Sequence, residues 1–369
     1  MRKIRVLVVD DAVVVRKIVT DVLSSDPELE VAGIAANGSI ALQKIPQVNP
    51  DIITLDIEMP VMDGLTALTE IRKIYPMLPV IMFSTLTERG GAKTLEALAL
   101  GATDYVTKPA NVGSVSVAMQ RIRDELIPKI KLFCGQKTGV KPPPKSLPEQ
   151  RTAPRPSAKK TKKPFYVPTI AHRIDIVTIG VSTGGPNALA ELMPEFPENF
   201  PVPIVIVQHM PPFFTKLLAD RLSAKSKITV IEGSPGTKLE PGKAWIAPGD
   251  YHMALARQGN DIIIQTNQNP PENSCRPAVD VLFRSVTQVY GGRTLGVVLT
   301  GMGQDGLIGC ETIKDAGGQV VVQDEPTSVV WGMPGFVARA GLTDTILPLK
   351  EIGREIISRM KNGRAFALS

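Results

Sequence analysis

The chain has 369 residues, 43% hydrophobic and 21% charged, a composition typical of soluble proteins with enough apolar material for two domains. No apolar run approaches the ~18 residues of a membrane span, and the first apolar run is too short for a signal peptide. Cys134, Cys275 and Cys310 are too few and too widely spaced to predict disulfides or a zinc site. We expect a cytoplasmic protein without direct membrane insertion.

The formal net charge of +6 comes from one segment. Residues 135–173 carry ten Lys and Arg, eight prolines and one acidic residue, Glu149, which leaves the rest of the chain acidic overall. Such a composition is typical of an extended linker that forms no core. We therefore predict domains at residues 1–132 and 174–365, a linker at 133–173, and no nucleic-acid partner.

The first domain alternates apolar runs with helical patterns five times, which predicts a (βα)5 doubly wound parallel sheet. The predicted strands are Ile4–Val9, Val31–Ala35, Ile52–Leu55, Pro79–Phe83 and Asp104–Thr107. The first helix is predicted from apolar residues between Val15 and Leu23, and the others are Ser39–Ile45, Leu65–Ile74, Ala92–Leu100 and Val112–Ile127.

Polar residues lie where four of these strands end, namely Asp10, Asp11, Asp56, Ser84 and Lys108. The carboxyl ends of parallel strands meet at one edge of the sheet, so these side chains should converge. Three carboxylates favour a hard divalent cation, most simply Mg²⁺. A carboxylate beside that ion can attack a phosphoryl group, with Lys108 and Ser84 as supporting groups.

These motifs resemble the response-regulator receiver family over roughly residues 3–128. They are Val8-Val9-Asp10-Asp11, Leu55-Asp56-Ile57-Glu58-Met59-Pro60 with Asp63-Gly64, Ser84, and Lys108-Pro109. The resemblance implies that Asp56 is the phosphoacceptor and that Tyr105 is a switching aromatic. It also implies that Asp10, Asp11, Asp56 and the backbone of Glu58 hold Mg²⁺.

In the second domain, strand and helix patterns predict a doubly wound, mainly parallel α/β fold with a β-rich insertion. The main predicted strands are Ile174–Gly180, Val202–Val207, Thr294–Thr300 and Gln319–Gln323, and the shorter ones are Thr229–Glu232, Lys243–Ile246 and Asp261–Gln265. The first strand leads into the glycine-rich turn Gly180–Pro186, which contains Ser182. Such a turn suits either a serine nucleophile or a phosphate-binding loop.

A serine nucleophile requires a base and an orienting carboxylate. His209 follows a strand and should share the edge of Ser182, His252 is the second choice, and His172 lies at the opposite end of its strand. Asp305 also follows a strand, within a glycine-rich turn. The order Ser, His, Asp differs from that of the α/β-hydrolases, so the G-x-S-x-G match is coincidental.

A second resemblance is to the catalytic domain of the CheB-type protein-glutamate methylesterases of bacterial chemotaxis. It rests on Gly180–Pro186, Val207-Gln208-His209-Met210, Ile246-Ala247-Pro248-Gly249, Arg276-Pro277-Ala278-Val279-Asp280 and Leu299–Gly306. It implies a triad of Ser182, His209 and Asp305. It further places Met302, through its backbone N–H, in an oxyanion site, with Thr183 and Gly303 in the same active-site loops.

The resemblance implies hydrolysis of glutamate methyl esters, and deamidation of glutamines, on the cytoplasmic helices of chemoreceptors. The phosphoryl donor would be the chemotaxis histidine kinase, and the second domain would need no cofactor. Two alternatives stay open on the sequence. A transcriptional regulator would share the receiver, and an anion-binding module would use Gly180–Pro186 without needing His209 or Asp305.

Overall fold

The described part of the protein, in a computed structural model, comprises residues 2–108, 115–135 and 173–365. Most of the predicted linker lies outside these ranges, as do His172, Pro109 and the predicted helix start at Val112. Within them, no helix is long and apolar enough to cross a membrane.

The first domain is a five-stranded sheet of parallel strands in the order β2-β1-β3-β4-β5, with helices between consecutive strands. Its elements are β1 (Ile4–Val9), α1 (Val13–Ser24), β2 (Leu29–Ala35), α2 (Gly38–Val48), β3 (Ile52–Asp56), α3 (Gly64–Ile74), β4 (Val80–Ser84), α4 (Glu88–Ala99), β5 (Asp104–Thr107) and α5 (Val115–Gly135). The predicted (βα)5 fold is confirmed. Helix α5 runs past residue 132, where the sequence pattern placed the domain boundary.

The beginning of α3 shows how the sequence places a helix beside the end of a strand. The Asp63 side chain accepts a hydrogen bond from the Thr66 N–H, a helix cap that stabilises by about 1 kcal/mol. A Cβ at Gly64 would lie 2.1 Å from the carbonyl oxygen of Asp56, so only glycine allows this approach. The loop between β3 and α3 is therefore held tightly against Asp56.

The second domain is also an α/β sheet, with seven strands in the order β14-β13-β12-β6-β7-β9-β8. Its elements are β6 (Ile176–Val181), α6 (Gly185–Leu192), β7 (Ile204–Gln208), α7 (Phe214–Lys225), β8 (Thr229–Glu232), β9 (Lys243–Ile246), β10 (His252–Gln258), β11 (Asp261–Asn267), α8 (Val279–Tyr290), β12 (Thr294–Val298), α9 (Leu307–Asp315), β13 (Gln319–Gln323), α10 (Met333–Arg339), β14 (Thr345–Leu347) and α11 (Leu349–Ala365). Short 3₁₀ turns follow α6 and α8.

All pairs in the seven-stranded sheet are parallel, whereas β10 and β11 pair antiparallel as a separate hairpin. The predicted mainly parallel fold with an insertion is confirmed. The insertion is smaller than the pattern suggested, because β8 and β9 extend the main sheet. The strands β10 and β14 and the helices α7, α8, α10 and α11 were not predicted.

The direction of strand addition reverses at β6, which lies between β12 on one side and β7 on the other. Ligands of doubly wound sheets bind at such a switch point, beyond the carboxyl ends of the strands. All six residues of β6 are buried, and so are the strands on either side of it. Ser182, His209 and Asp305 therefore lie just beyond the carboxyl ends of fully buried strands.

Candidate active site and candidate phosphorylation site

Ser182 lies in the turn that joins β6 to α6. Its backbone N–H donates to the carbonyl of Thr300 (3.0 Å), and its own carbonyl accepts from the Gly185 N–H (2.8 Å). Gly184 has a φ of 80°, a left-handed conformation that glycine adopts without strain. The turn is thereby fixed on both sides, and the half-buried Ser182 side chain is held at the carboxyl edge of the sheet.

His209 directly follows the neighbouring strand β7, in which Gln208 is paired with Val181. Its Nε2 lies 2.8 Å from Asp305 Oδ2. Burial by itself lowers the pKa of His209, but its hydrogen bonds with Asp305 and Cys275 outweigh burial and raise the pKa to about 10. These hydrogen bonds therefore favour the charged imidazolium form of His209.

Asp305 is almost fully buried, yet the surrounding donors keep it ionised. Its Oδ2 accepts the Val279 N–H (2.6 Å) and its Oδ1 the Asp280 N–H (3.0 Å), both at the beginning of α8. Burial alone would raise the pKa of Asp305, but the hydrogen bond from His209 and these backbone donors lower it. The positive end of α8 thus stabilises the carboxylate that orients His209.

The amide of Gln208 ties the two halves of this site together. Its Nε2 donates to the carbonyl of Ser182 (3.0 Å) and to that of His209 (3.2 Å). Gln208 is buried, so these bonds are shielded from water. In the sequence, Gln208 belongs to the Val207–Met210 motif, but no role was predicted for it.

The loop at residues 272–277 also reaches this site, and no role was predicted for its residues. The Asn273 side-chain amide donates to Asp305 Oδ1 (3.0 Å) and to Asp280 Oδ2 (2.9 Å). Cys275 Sγ lies 3.6 Å from His209 Nδ1. Asn273 and Ser274 both have left-handed backbones, with φ of 51° and 62°. An Asn-Ser pair that tolerates turns was the only signal available.

His252, the second choice for the base, has both ring nitrogens engaged by backbone groups. Its Nδ1 accepts the Ala278 N–H (3.2 Å), and its Nε2 lies 3.1 Å from the carbonyl of Pro270. It is also only 1% exposed. His252 therefore has a structural role in joining β10 to α8.

The remaining predicted active-site positions lie in two loops on the same edge. Thr183 is buried, and its carbonyl accepts a hydrogen bond from the Thr300 hydroxyl (2.9 Å). Met302 is 39% exposed, and Gly303 has a φ of 86°. These loops border the Ser182 turn, so backbone N–H groups are available near it.

The first domain gathers its predicted residues at the ends of β1 and β3. Carboxylate oxygens of Asp10, Asp11 and Asp56 lie within 4.8 Å of one another. Lys108 Nζ is 2.8 Å from Asp10 Oδ2 and 2.8 Å from Asp56 Oδ2. Burial raises the pKa of Asp56 to about 6, although the Lys108 ammonium opposes it. All-oxygen donors in this number fit Mg²⁺.

Three further predicted residues surround this cluster. The Ser84 hydroxyl accepts a hydrogen bond from Thr94 Oγ1 (2.6 Å) and donates to the carbonyl of Gly90 (3.2 Å). The Glu58 carboxylate pairs with Lys93 (2.9 Å), which leaves its backbone as the group to consider for a metal. Tyr105, in β5, lies at the interface with the second domain.

That interface brings the first domain next to Ser182. The ring of Tyr105 stacks on Phe214 at a centroid distance of 5.5 Å. The Thr183 hydroxyl donates to Asp104 Oδ2 (3.3 Å), and the Asn187 amide donates to the carbonyl of Leu98 (2.8 Å). Helix α4 and strand β5 therefore pack on the beginnings of α6 and α7, directly beside the candidate nucleophile.

The first domain carries a candidate phosphoacceptor, and the second carries a serine, an imidazole and a carboxylate at its switch point. Together the two domains define a response regulator with a hydrolase output. A family model described as CheB methylesterase matches residues 177–356, and one described as Response regulator receiver domain matches residues 6–120. The chain is 56% identical to a protein-glutamate methylesterase/protein-glutamine glutaminase of Trichodesmium erythraeum (strain IMS101), over 98% of this chain and 100% of that protein.

A relative of the same description from Pyrococcus abyssi (strain GE5 / Orsay) is 45% identical, over 96% of this chain and 93% of its own length. Among solved structures, the Thermotoga maritima CheB methylesterase catalytic domain is 44% identical, with a TM-score of 0.50, over 50% of this chain and 98% of that chain. The chain belongs to the CheB-type protein-glutamate methylesterase/protein-glutamine glutaminase family. The predicted enzyme class, a carboxylic ester hydrolase regulated through a receiver domain, is confirmed.

Proposed function

We propose that the protein hydrolyses γ-glutamyl methyl esters, and deamidates glutamines, on the cytoplasmic helices of chemoreceptors during chemotactic adaptation. The observation that carries this proposal is the hydrogen-bonded pair of His209 and Asp305, which lies beside Ser182 at the switch point of the sheet. We also propose a cytoplasmic location, because the substrate helices and a kinase donor would both be there.

In the proposed mechanism, Ser182 attacks the ester carbonyl and its proton passes to His209. Asp305 holds the imidazole through Nε2, so Nδ1 is the nitrogen that accepts the proton when His209 is in its neutral form. The imidazolium then protonates the departing methanol. Water, deprotonated by the same imidazole, hydrolyses the acyl-enzyme to glutamate. The same steps on a glutamine release ammonia.

The tetrahedral intermediates of both steps carry an oxyanion. The N–H group of Met302, with others from the Thr183 and Gly303 loops, would donate to that oxygen. One such donor contributes roughly 2.7–4 kcal/mol in related sites. The 39% exposed Met302 side chain would meanwhile face the incoming receptor helix.

The assignment is tested by replacing Ser182. Ser182→Ala should abolish both methanol release from methylated receptor membranes and labelling by a serine-directed fluorophosphonate. Ser223→Ala is the matched control, because Ser223 is another half-buried serine of this domain whose hydroxyl only accepts the Val230 N–H. Undiminished methanol release by Ser182→Ala would overturn the assignment.

Phosphorylation would occur at Asp56, with the chemotaxis histidine kinase as donor. Asp10, Asp11, Asp56 and the Glu58 backbone would hold Mg²⁺, which would neutralise charge on the incoming phosphoryl group. Lys108, 2.8 Å from Asp56, and Ser84, at the end of the adjacent strand β4, would contact the added oxygens. The receiver would thereby gain charge at the carboxyl edge of β3.

We further propose that the unphosphorylated receiver restricts access to Ser182, because Asp104 contacts Thr183 and Tyr105 stacks on Phe214. A fragment that begins near residue 170 should release methanol faster than the full chain without a phosphodonor. If the fragment were no more active than the full chain, this part of the proposal would be wrong. A DNA-binding regulator is disfavoured, because its output domain would not need the His209–Asp305 pair.

A further inference from the structure

Beside the proposed triad is a thiol that the hydrolytic steps do not use. His209, Cys275 and Asp305 each offer one atom that could bind a metal, and these three atoms all lie within 4.8 Å of one another. Cys275 Sγ is 3.6 Å from His209 Nδ1, and Asp305 Oδ2 is 2.8 Å from Nε2. The fold thus assembles sulfur, nitrogen and oxygen donors from three distant parts of the chain.

This donor set matches the preferences of zinc. Bond lengths of about 2.0–2.3 Å in tetrahedral geometry place the ligand atoms of a zinc ion roughly 3.3–3.7 Å apart. Separations of up to 4.8 Å would need to contract by at most about 1.5 Å, and the Nε2–Oδ2 separation of 2.8 Å would need to widen by roughly 0.5 Å or more. Three protein ligands would leave a fourth position for water, as in zinc sites that are not closed.

The surroundings support the metal ligands. Asn273 and the beginning of α8 hold the Asp305 carboxylate through its Oδ1 and Oδ2. Such outer hydrogen bonds orient the ligands of metal sites. Asp305 is 2% exposed, whereas Cys275 is only half-buried, so an ion could enter from the Cys275 side.

We propose that His209, Cys275 and Asp305 bind Zn²⁺, and that the bound ion inhibits the hydrolase reversibly. The inhibition rests on the proposed function, whereas the binding does not. Cys275 releases its thiol proton to solvent and binds as the thiolate. Zn²⁺ binds Nε2 of the imidazolium, whose Nε2 proton also passes to solvent, so the single remaining ring proton lies on Nδ1. His209 then cannot accept the proton of Ser182, and a chelator restores activity by removing the ion.

The direct test is binding of Co²⁺, a spectroscopic substitute for Zn²⁺, to the full chain. A thiolate ligand gives intense near-ultraviolet absorption, which the all-oxygen cluster of the receiver cannot produce. The absorption should appear in the unmodified protein and disappear in Cys275→Ala. Cys134→Ala, which changes a half-buried cysteine of the first domain, is the matched control and should keep it. Absorption that persists in Cys275→Ala, or is absent from the unmodified protein, would refute the site.

The functional test is a Zn²⁺ titration of methanol release. Cys275→Ala should need roughly tenfold or more Zn²⁺ for half-inhibition, since even supporting residues of zinc sites contribute 10- to 100-fold in affinity. Equal sensitivity of Cys275→Ala and Cys134→Ala would overturn the proposal. Thiolate absorption in a protein that releases no methanol in chelator would instead refute the hydrolase and leave the metal site standing.

Discussion

Replacing Asp56 with Asn should stabilise the receiver at neutral pH when no divalent ion is present. Burial raises the pKa of Asp56 from 3.8 to about 6, so the folded state disfavours its charged form. At ~1.4 kcal/mol per pKa unit, ionised Asp56 costs about 3 kcal/mol at pH 7.5. Lys108 would lose one of its two partners on substitution but keep Asp10. We therefore expect a net gain of about 1–3 kcal/mol, which is several degrees in Tm.

The sign of the pH dependence follows from the raised pKa. Stability contributed by neutral Asp56 is fully present below pH 3.8 and is lost as the pH rises through about 6. The advantage of Asp56→Asn should thus be largest at pH 7.5 and vanish near pH 4. Calorimetry of the full chain in EDTA would follow the receiver transition, with Asp11→Asn, at an exposed carboxylate, as control.

Two results would refute this reasoning. One is an Asp56→Asn protein no more stable than the unmodified chain at pH 7.5, and the other is a difference that does not change with pH. Added Mg²⁺ gives an internal check. It should stabilise the unmodified chain by mass action and Asp56→Asn much less, so the gap should narrow.

Three further predictions concern the interface and the active site. A Cβ at Gly91 would lie 2.8 Å from the Leu217 side chain, so Gly91→Val should loosen the interface and raise methanol release without a phosphodonor. The control Gly135→Ala should leave methanol release unchanged, because a Cβ at Gly135 would meet no atom within 4 Å. The pKa of His209 is near 10, and only its neutral form can act as a base, so kcat/KM should rise from pH 7 to 10. The second domain should lose stability over the same range, because the folded state binds this proton more tightly than the unfolded state. A kcat/KM that does not change with pH would contradict this. Asn273→Gly permits the same left-handed backbone but removes the hydrogen bond to the Asp305 carboxylate, which is worth about 1.5–3 kcal/mol. In steady-state assays kcat should therefore fall roughly 10- to 100-fold. An unchanged kcat would show that Asn273 does not support the active site.

The sequence predicted the residues that follow strands, because parallel-sheet geometry alone brings their ends together. Asp56 and His209 are such residues. Asn273 and Cys275 could not be predicted this way, because they come from a loop whose left-handed turns leave no periodic pattern. His252 stayed an alternative until its two backbone partners were known.

The contact between the domains was predicted only in outline. A phosphoacceptor domain on a flexible linker predicted that the unphosphorylated receiver covers the Ser182 edge, but no pattern singles out the pairing of Tyr105 with Phe214. The receiver resemblance marked Tyr105 as a switching aromatic but gave it no partner, and Phe214 had no predicted role. Surface complementarity between two separately folded units has no period in the sequence, so it becomes visible only in three dimensions.

Strand β5 has a consequence for how a signal could cross the molecule. Asp104, the first residue of β5, accepts a hydrogen bond from Thr183, the residue next to Ser182. Lys108, which directly follows the last residue of β5, pairs with Asp56. At ~3.3 Å per residue, the two contacts are only about 13 Å apart along one extended backbone. Because β5 is one extended strand, no other element is needed to connect the two contacts. A displacement of Lys108 would be transmitted along the backbone of β5 to Asp104, which contacts the residue next to Ser182.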